Sequence, residues 1–133
     1  MNLTKLSPRA AAQTPVKLHL KDPATGELLY DGKDPVTISL LGAESPEREN
    51  KHNELKLRRA QGEEISDERS GAELLASITT DWSGIGFGSS EAFPFSLENA
   101  VKLYLHPDTD WIVEQVGPFA RDRRNFLKNR RTT

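Results

Sequence analysis

The stretch VTISLLGAESPERE, residues 36–49, contains the change of pattern that decides the fold. Its first part alternates branched apolar side chains with hydroxyl side chains, which is the period of a half-buried strand. Its second part is typical of a helix start, with Ser45 at the N-cap, Pro46 at N1 and glutamates at the positive end of the helix dipole. The switch near Gly42 therefore predicts β structure before this point and α structure after it.

The sequence before residue 36 predicts two further short strands. Val16, Leu18 and Leu20 alternate with basic or polar side chains, and apolar residues return at 28–30. Between them DPATG, residues 22–26, supplies turn chemistry, since Pro fixes φ and Gly accepts positive φ. We expect an antiparallel meander, which must pack on a helix or another chain because so small a β unit is marginal in water.

The sequence after Gly42 predicts helices over 45–61, 69–82, 96–106 and 110–127. The first is polar nearly all round, and the others carry apolar side chains at helical spacing. Gly117-Pro118 falls inside the last helix, where we expect a kink or a break because Pro lacks the amide hydrogen and clashes with the preceding turn. The predicted fold class is α+β, a small N-terminal antiparallel β unit followed by a mainly α-helical domain of about four helices.

The chain of 133 residues suits one domain. We predict a disordered tail over 1–14, a single α+β domain over 15–127 (β unit 15–42, helical part 43–127) and a basic C-terminal tail over 128–133. Structural core positions are predicted on the apolar stripes and beside the loop that precedes residue 96: Trp82, Phe95, Leu97, Val101, Trp111, Val116 and Phe126.

Composition narrows the class of protein. The chain has no cysteine, which excludes disulfides and thiolate metal sites. It has neither a signal-like segment nor an apolar stretch near the roughly 18 residues of a membrane span, so we expect a soluble intracellular protein with no membrane partner. The net charge of −2 gives no general attraction to nucleic acid.

The glycines of GIGFG, residues 84–88, open like a phosphate-binding pattern. The third glycine of that pattern, the preceding buried strand and a following Lys-Ser or Lys-Thr are missing. The neighbouring Trp82, Ile85, Phe93 and Phe95 are apolar anchors. We therefore predict a corner held by aromatic side chains, with the glycines allowing the backbone to turn.

No pattern of residues indicates catalysis. His19, His52 and His106 lie in separate segments, and none has a partner at a metal-ligand spacing. A G-x-S-x-G elbow is missing, and the carboxylates crowd a polar helix where a solvated face is expected. We predict a protein that is not an enzyme and has no cofactor or metal.

The segment FARDRRNFLKNRR, residues 119–131, holds six basic residues against one acidic residue. The phenylalanines interleaved with these basic residues are compatible with contact to nucleic acid. The segment equally fits a helix end that complements the dipole, or a docking strip for an acidic partner. With a slightly negative chain we do not expect nucleic acid as the partner.

Three stretches together resemble the tail assembly chaperones of long-tailed bacteriophages. In order they are LLGAESPERENK, ELLASITTDWSGIG and FPFSLENAVKLYLHPDTDWIVEQVGPFARDRRNFL, and the match covers roughly residues 36–50 and 72–127. The shared features are a helix that ends in a Trp followed by Gly, a Pro-Phe-Ser helix start, and a Trp-containing last helix that ends in Asn-Phe. This chain departs from the pattern by extra glycines and serines at 86–90, which affect the loop shape, and by Gly117-Pro118, which affects the straightness of the last helix.

The resemblance implies a non-enzymatic role in tail assembly. Such a chaperone keeps the tape measure protein soluble in the host cell cytoplasm, helps to recruit tail tube protein, self-associates and is absent from the mature virion. We expect client contacts at three aromatic residues, with arginines meeting acidic client residues at the rim: Trp111, Phe119, Phe126, Arg121, Arg123 and Arg124. The alternative is a structural tail or head–tail joining protein that is retained in the virion.

Overall fold

The structure is a computed structural model that describes residues 1–89 and 92–131, with side chains described only as far as residue 127. It combines small antiparallel sheets with helices over about half of the chain, which confirms the predicted α+β class. The strands are β1 (Val16–His19), β2 (Tyr30–Asp31), β3 (Asp34–Pro35), β4 (Thr37–Leu40) and β5 (Thr79–Ser83). The helices are α1 (Pro8–Ala11), α2 (Pro46–Ala60), α3 (Asp67–Ser77), α4 (Leu97–Leu105), α5 (Asp110–Arg121) and α6 (Arg124–Arg131).

The main sheet is antiparallel, with strand order β1-β4-β5. Leu18 lies opposite Ile38, and Ile38 lies opposite Trp82, so apolar side chains share one face across the sheet. The predicted middle strand does not join this sheet. Its residues instead form the two-stranded ribbon of β2 and β3 and one bridge between Lys21 and Leu28.

Strand β5 corrects the predicted separation of a β unit from a helical part. A helix was predicted over 69–82, but α3 ends at Ser77 and the chain continues as a strand that pairs with β4. Ile78 and Trp82 are spaced like helical residues, and this spacing gave the wrong prediction. The segment forms a strand because Thr79 and Thr80 are β-branched and because β4 offers an edge with which to pair. Strand formation depends in this way on partners that are distant in sequence.

Helices α4 and α3 each begin after a serine cap, of which the cap of α4 was predicted and the cap of α3 was not. Ser96 caps α4 by accepting the Asn99 amide hydrogen at 3.0 Å, and Ser66 caps α3 by accepting from Arg69 at 3.1 Å. Helix α2 begins at Pro46 as predicted, although the buried hydroxyl of Ser45 has no hydrogen-bond partner among the described residues.

The predicted break in the last helix exists, but at a different position. Pro118 lies inside α5, and the helix ends at Arg121, where Asp122 takes an extended conformation. The Asp122 carboxylate then accepts the Arg124 amide hydrogen at 3.0 Å at the start of α6. Helix α6 continues past the predicted domain boundary at 127, and residues 132–133 of the predicted tail lie outside the described residues.

The N-terminal segment, residues 1–14, differs from the predicted disordered tail. It forms a short 3-10 helix (Leu3–Leu6) followed by α1, and Ala11 and Ala12 are buried. The Gly42 amide donates to the Ala12 carbonyl at 2.9 Å. Small side chains allow this close approach, and they leave no periodic pattern from which the contact could be predicted.

The core lies between the main sheet and helices α3, α4 and α5. Of the predicted core residues, Trp82, Val116 and Phe126 are buried, whereas Phe95, Val101 and Trp111 are half-buried against the core. The prediction for Leu97 is wrong, because its side chain is 62% exposed. Helix α4 instead buries Ala100, Leu103 and Tyr104, so its inner face is rotated from the predicted one.

Helix α2 is held to α3 by one leucine and an ion-pair cluster. Leu55 is its buried residue. Arg58 Nη1 lies 2.8 Å from Glu73 Oε1, and Arg69 Nε lies 3.0 Å from Glu73 Oε2. The hydrogen bond from Arg58 lowers the pKa of Glu73 against the opposing effect of burial, and the same bond raises the pKa of Arg58.

Candidate functional site

An open groove of about 880 Å³ runs between α3 and α5. Its apolar lining comes mainly from these two helices and from the end of α4: Leu74, Leu75, Ile78, Leu105 and Val113. The buried Ala72 and Tyr104 also line it, so the groove reaches down to the core. We call this feature the α3–α5 groove.

Helix α5 has two faces with different surroundings. Ile112 and Val116 pack in the core. Val113, Glu114 and Gly117 line the groove at the three- and four-residue spacing of one helix face. This second face of α5 borders the groove, with Val113 also packed against the core.

Each of the two helices has a glycine that lines the groove. Gly71 of α3 has nothing within 4 Å of the position that a Cβ would occupy, so it leaves open space. The Cβ position at Gly117 of α5 is approached by Arg121 Nη1 at 3.1 Å, so this glycine makes room for the arginine side chain. Glycine inside a helix lowers stability relative to alanine by roughly 0.5–1 kcal/mol.

The end of α4 is fixed beside the groove by a buried hydroxyl pair. The hydroxyls of Tyr104 and Thr79 lie 2.7 Å apart. Burial raises the pKa of the Tyr104 phenol, and the hydrogen bond with Thr79 offsets part of that rise. The phenol therefore remains uncharged, as an apolar lining requires.

Charged side chains surround the groove on its rim. They are Asp67 and Glu68 of α3, Asp110 and Glu114 of α5, Arg121 at the end of α5, and Arg48 of α2. Within the part of the chain that the structure describes, the one ion pair that these side chains make is Asp67 with Arg59, at 3.9 Å. The rim is therefore largely available for charge pairing with another molecule.

Of the residues predicted to bind a partner, Arg121 lines the groove and the others do not. Phe126 is buried, and its ring meets that of Phe119 edge-on at a centroid distance of 6.0 Å. Phe119 and Trp111 are half-buried against the core. The aromatic residues of the predicted contact surface therefore pack in or against the core, and the groove lies elsewhere on α5.

The predicted arginines Arg123 and Arg124 are paired within the chain. Arg123 pairs with Glu44, its Nη2 lying 3.2 Å from Glu44 Oε2, and Arg124 Nη2 lies 2.9 Å from Asp122 Oδ2. The hydrogen bonds from Arg124 lower the pKa of Asp122. The described part of the basic segment is thus partly neutralised, which weakens the case for nucleic acid.

The predicted glycine corner is confirmed. Trp82 Nε1 donates to the Phe93 carbonyl at 2.7 Å, its ring stacks on Phe93 at 5.7 Å, and Phe95 meets it edge-on at 5.2 Å. Gly84 has φ +78°, and a Cβ there would lie 3.2 Å from Val36 Cγ2. The extra glycine and serine positions noted at 86–90 lie within the described residues as far as residue 89.

Two further features are missing from the described ranges, 1–89 and 92–131. No group of three or more His, Cys, Asp or Glu side chains there could hold a metal ion. No helix there is long and apolar enough to cross a membrane.

Comparison of the chain with protein-family models, curated proteins and solved structures gave no match. Function must therefore be inferred from the groove and from the sequence motifs.

The groove was not predicted from the sequence, because the residues that line it do not form an apolar stripe. Along α5 the groove face reads Asp110, Val113, Glu114, Gly117, Arg121, a mixture of charged, apolar and small residues. The available indication in the sequence was a glycine and an acidic residue at helical spacing inside an otherwise amphipathic helix.

Proposed function

We propose that this protein is a bacteriophage tail assembly chaperone that binds a helical segment of the tape measure protein in the α3–α5 groove. It keeps that client soluble in the host cell cytoplasm, helps to recruit tail tube protein and is absent from the mature virion. The groove is the observation that carries the proposal, and the order of sequence motifs supplies the identity of the client.

The dimensions of the groove suit a helix. Helix α5 has 12 residues and is about 18 Å long, so the groove can contact about three turns of a client helix. Amphipathic helices bind in apolar grooves of this kind through side chains at three- and four-residue spacing. An exposed apolar surface bordered by charges is typical of an interaction site.

The groove lining supports binding more than catalysis. Its described side chains include no histidine, serine or cysteine, so it lacks the residues of a Ser–His or Cys–His nucleophile pair. Leucine, isoleucine, valine, alanine and glycine dominate its centre, and charged residues occur on its rim. This distribution matches the apolar centre and polar rim of protein interfaces.

Co-expression with the tape measure protein tests the proposal. The groove variant is Leu105→Glu, whose side chain is 39% exposed in the wild type and lines the groove. The matched control is Leu97→Glu on the same helix, which is 62% exposed and lies outside the groove. We expect the wild type and Leu97→Glu to raise the soluble fraction of the client and to co-purify with it, and Leu105→Glu to do neither.

Equal client solubility with and without this chain, and no co-purification, would overturn the chaperone function. Mass spectrometry of purified virions distinguishes a chaperone from the alternative function. A structural tail or head–tail joining protein is retained in virions, and a chaperone is not.

A further inference from the structure

We infer that the α3–α5 groove is polarised, and that it selects a client helix with basic residues at one end, a large apolar side chain in the middle and acidic residues at the other end. This inference rests on the proposed binding of a client helix in the groove. It adds the direction in which that helix lies and the sequence class to which it belongs.

The acidic end of the groove is formed where its two helices start. Asp67 and Glu68 occupy the first turn of α3. Asp110 and Glu114 lie in the first turns of α5. All four carboxylates line the groove on the turns of α3 and α5 farthest from the helix ends that bond to residues 41–43, so a basic client segment would meet them away from those ends.

The basic end is formed where the same two helices finish. The Leu41 amide donates to the Ile78 carbonyl at 2.7 Å, and the Ala43 amide donates to the Ala120 carbonyl at 2.8 Å, so the last turns of α3 and α5 meet residues 41–43. Arg121 ends α5, and Arg48 lies in the first turn of α2, which starts close after residue 43. The Arg121 side chain reaches back along α5 to Gly117, so its charge lies about 10 Å along this helix from Asp110.

The helix dipoles favour the carboxylates at the starts of α3 and α5 and Arg121 at the end of α5. Carboxylates are favoured near helix N-termini and arginine near a C-terminus. The same placement gives the groove opposite charges at its two ends. Exposed pairs contribute little affinity, so the charges are expected to fix the direction of the client helix while the apolar centre provides most of the binding.

Gly71 and Gly117 define the middle of the groove. Both line it, and the open space at Gly71 can accept a large apolar client side chain. A bulky residue at position 71 would fill that space. The Cβ of that residue would meet no atom of the fold within 4 Å.

The probes are amidated synthetic helices of about 15 residues that share one leucine- and alanine-rich centre, about the length of the groove plus one turn. One carries lysines at one end and glutamates at the other, the second carries lysines at both ends, and the third carries glutamates at both ends. Measured by fluorescence anisotropy, the first should bind about three- to tenfold more tightly than either control.

Direction is measured with single labels, which is straightforward because the chain has no cysteine. Asp108→Cys places a spin label at the acidic end, and Glu47→Cys places one at the basic end. A probe labelled at its lysine end should lie closer to position 108 than to position 47. Similar distances to both labels would overturn the inferred direction.

Gly71→Leu tests the central space separately from folding. It should weaken binding of the first probe at least tenfold without lowering the unfolding midpoint, since leucine is the better helix former. Equal binding by this variant and the wild type would overturn the central part of the inference.

Failure of this inference is distinguishable from failure of the proposed function. Equal binding of the three probes would overturn the polarity and leave groove binding intact. Binding of none of them would overturn both the polarity and the groove as the site. The co-expression experiment measures chaperone activity independently of either result.

Discussion

Gly42 is the residue at which the N-terminal segment, the end of β4 and helix α6 meet. A Cβ added there would lie 2.6 Å from Ala12 Cβ and 3.4 Å from Phe126 Cδ2. The first distance is far below van der Waals contact, so either the N-terminal segment or β4 would have to move. The contact between Gly42 and Ala12 thus joins the N-terminal segment, whose residues are mostly small or polar, to the rest of the domain.

We predict that Gly42→Ala lowers the free energy of unfolding by roughly 1–3 kcal/mol, as overpacking of a close contact does. Ala12→Gly added to it should restore part of the loss, because it removes the atom that the new Cβ meets. Gly71→Ala is the control, and should be neutral or slightly stabilising because its Cβ position is open. Chemical denaturation measures all of these, and equal stability of Gly42→Ala and the wild type would contradict the packing described.

At the scale of the elements, α2 depends on Glu73 of the neighbouring helix. The Glu73 side chain is 8% exposed and accepts from Arg58 and Arg69, while Arg58 also pairs with Glu63 at 2.6 Å. Leu55 alone among the residues of α2 is buried. An otherwise polar helix is therefore held in place largely by one buried carboxylate.

We predict that Glu73→Gln lowers the free energy of unfolding by about 1–3 kcal/mol near neutral pH, because hydrogen bonds to a charged group are lost. The pKa of Glu73 is lowered in the folded state, so its contribution is present above the ordinary value of 4.5 and is lost as the pH falls through the folded-state pKa. The difference between wild type and variant should therefore shrink in acid.

The control for this prediction is Glu63→Gln, which removes a partner of the same arginine. The Glu63 side chain is 49% exposed, so its loss should change stability by less than about 1 kcal/mol. Denaturation curves from neutral to acidic pH measure both variants, and a difference for Glu73→Gln that is independent of pH would refute the assigned role.

At the scale of the whole molecule, the main sheet is small and has two edges. In the described part of the chain, β1 and β5 each pair with β4 alone. Edge strands carry unpaired backbone groups that can pair with another chain. The mostly polar α2 and this short sheet give the molecule surfaces that an assembly of several copies would cover.

We predict that the protein self-associates at micromolar concentrations or in the presence of a tape measure fragment. Sedimentation velocity over a concentration series should show an average mass that rises with concentration, or rises when the fragment is added. A monomer at every concentration, with and without the fragment, would contradict the predicted self-association.

The sequence by itself determined the features that depend on neighbours within about one helical turn. The alternation at 36–40, Pro46 at the start of α2 and the Ser96 cap gave the α+β class and two of the helices within a residue or so of their ends. The aromatic corner at Trp82 could also be predicted, since its glycines and phenylalanines are close together in the sequence.

Only the tertiary structure decided which of several locally acceptable arrangements forms. Thr79–Ser83 is a strand because β4, about 40 residues earlier in the chain, offers its edge. Ala12 is buried because Gly42 has no side chain, and Leu97 is exposed because α4 turns Leu103 and Tyr104 inward. The groove exists because α3 and α5 meet at residues 41–43 and leave their facing sides uncovered, a relation between distant segments that no local pattern encodes.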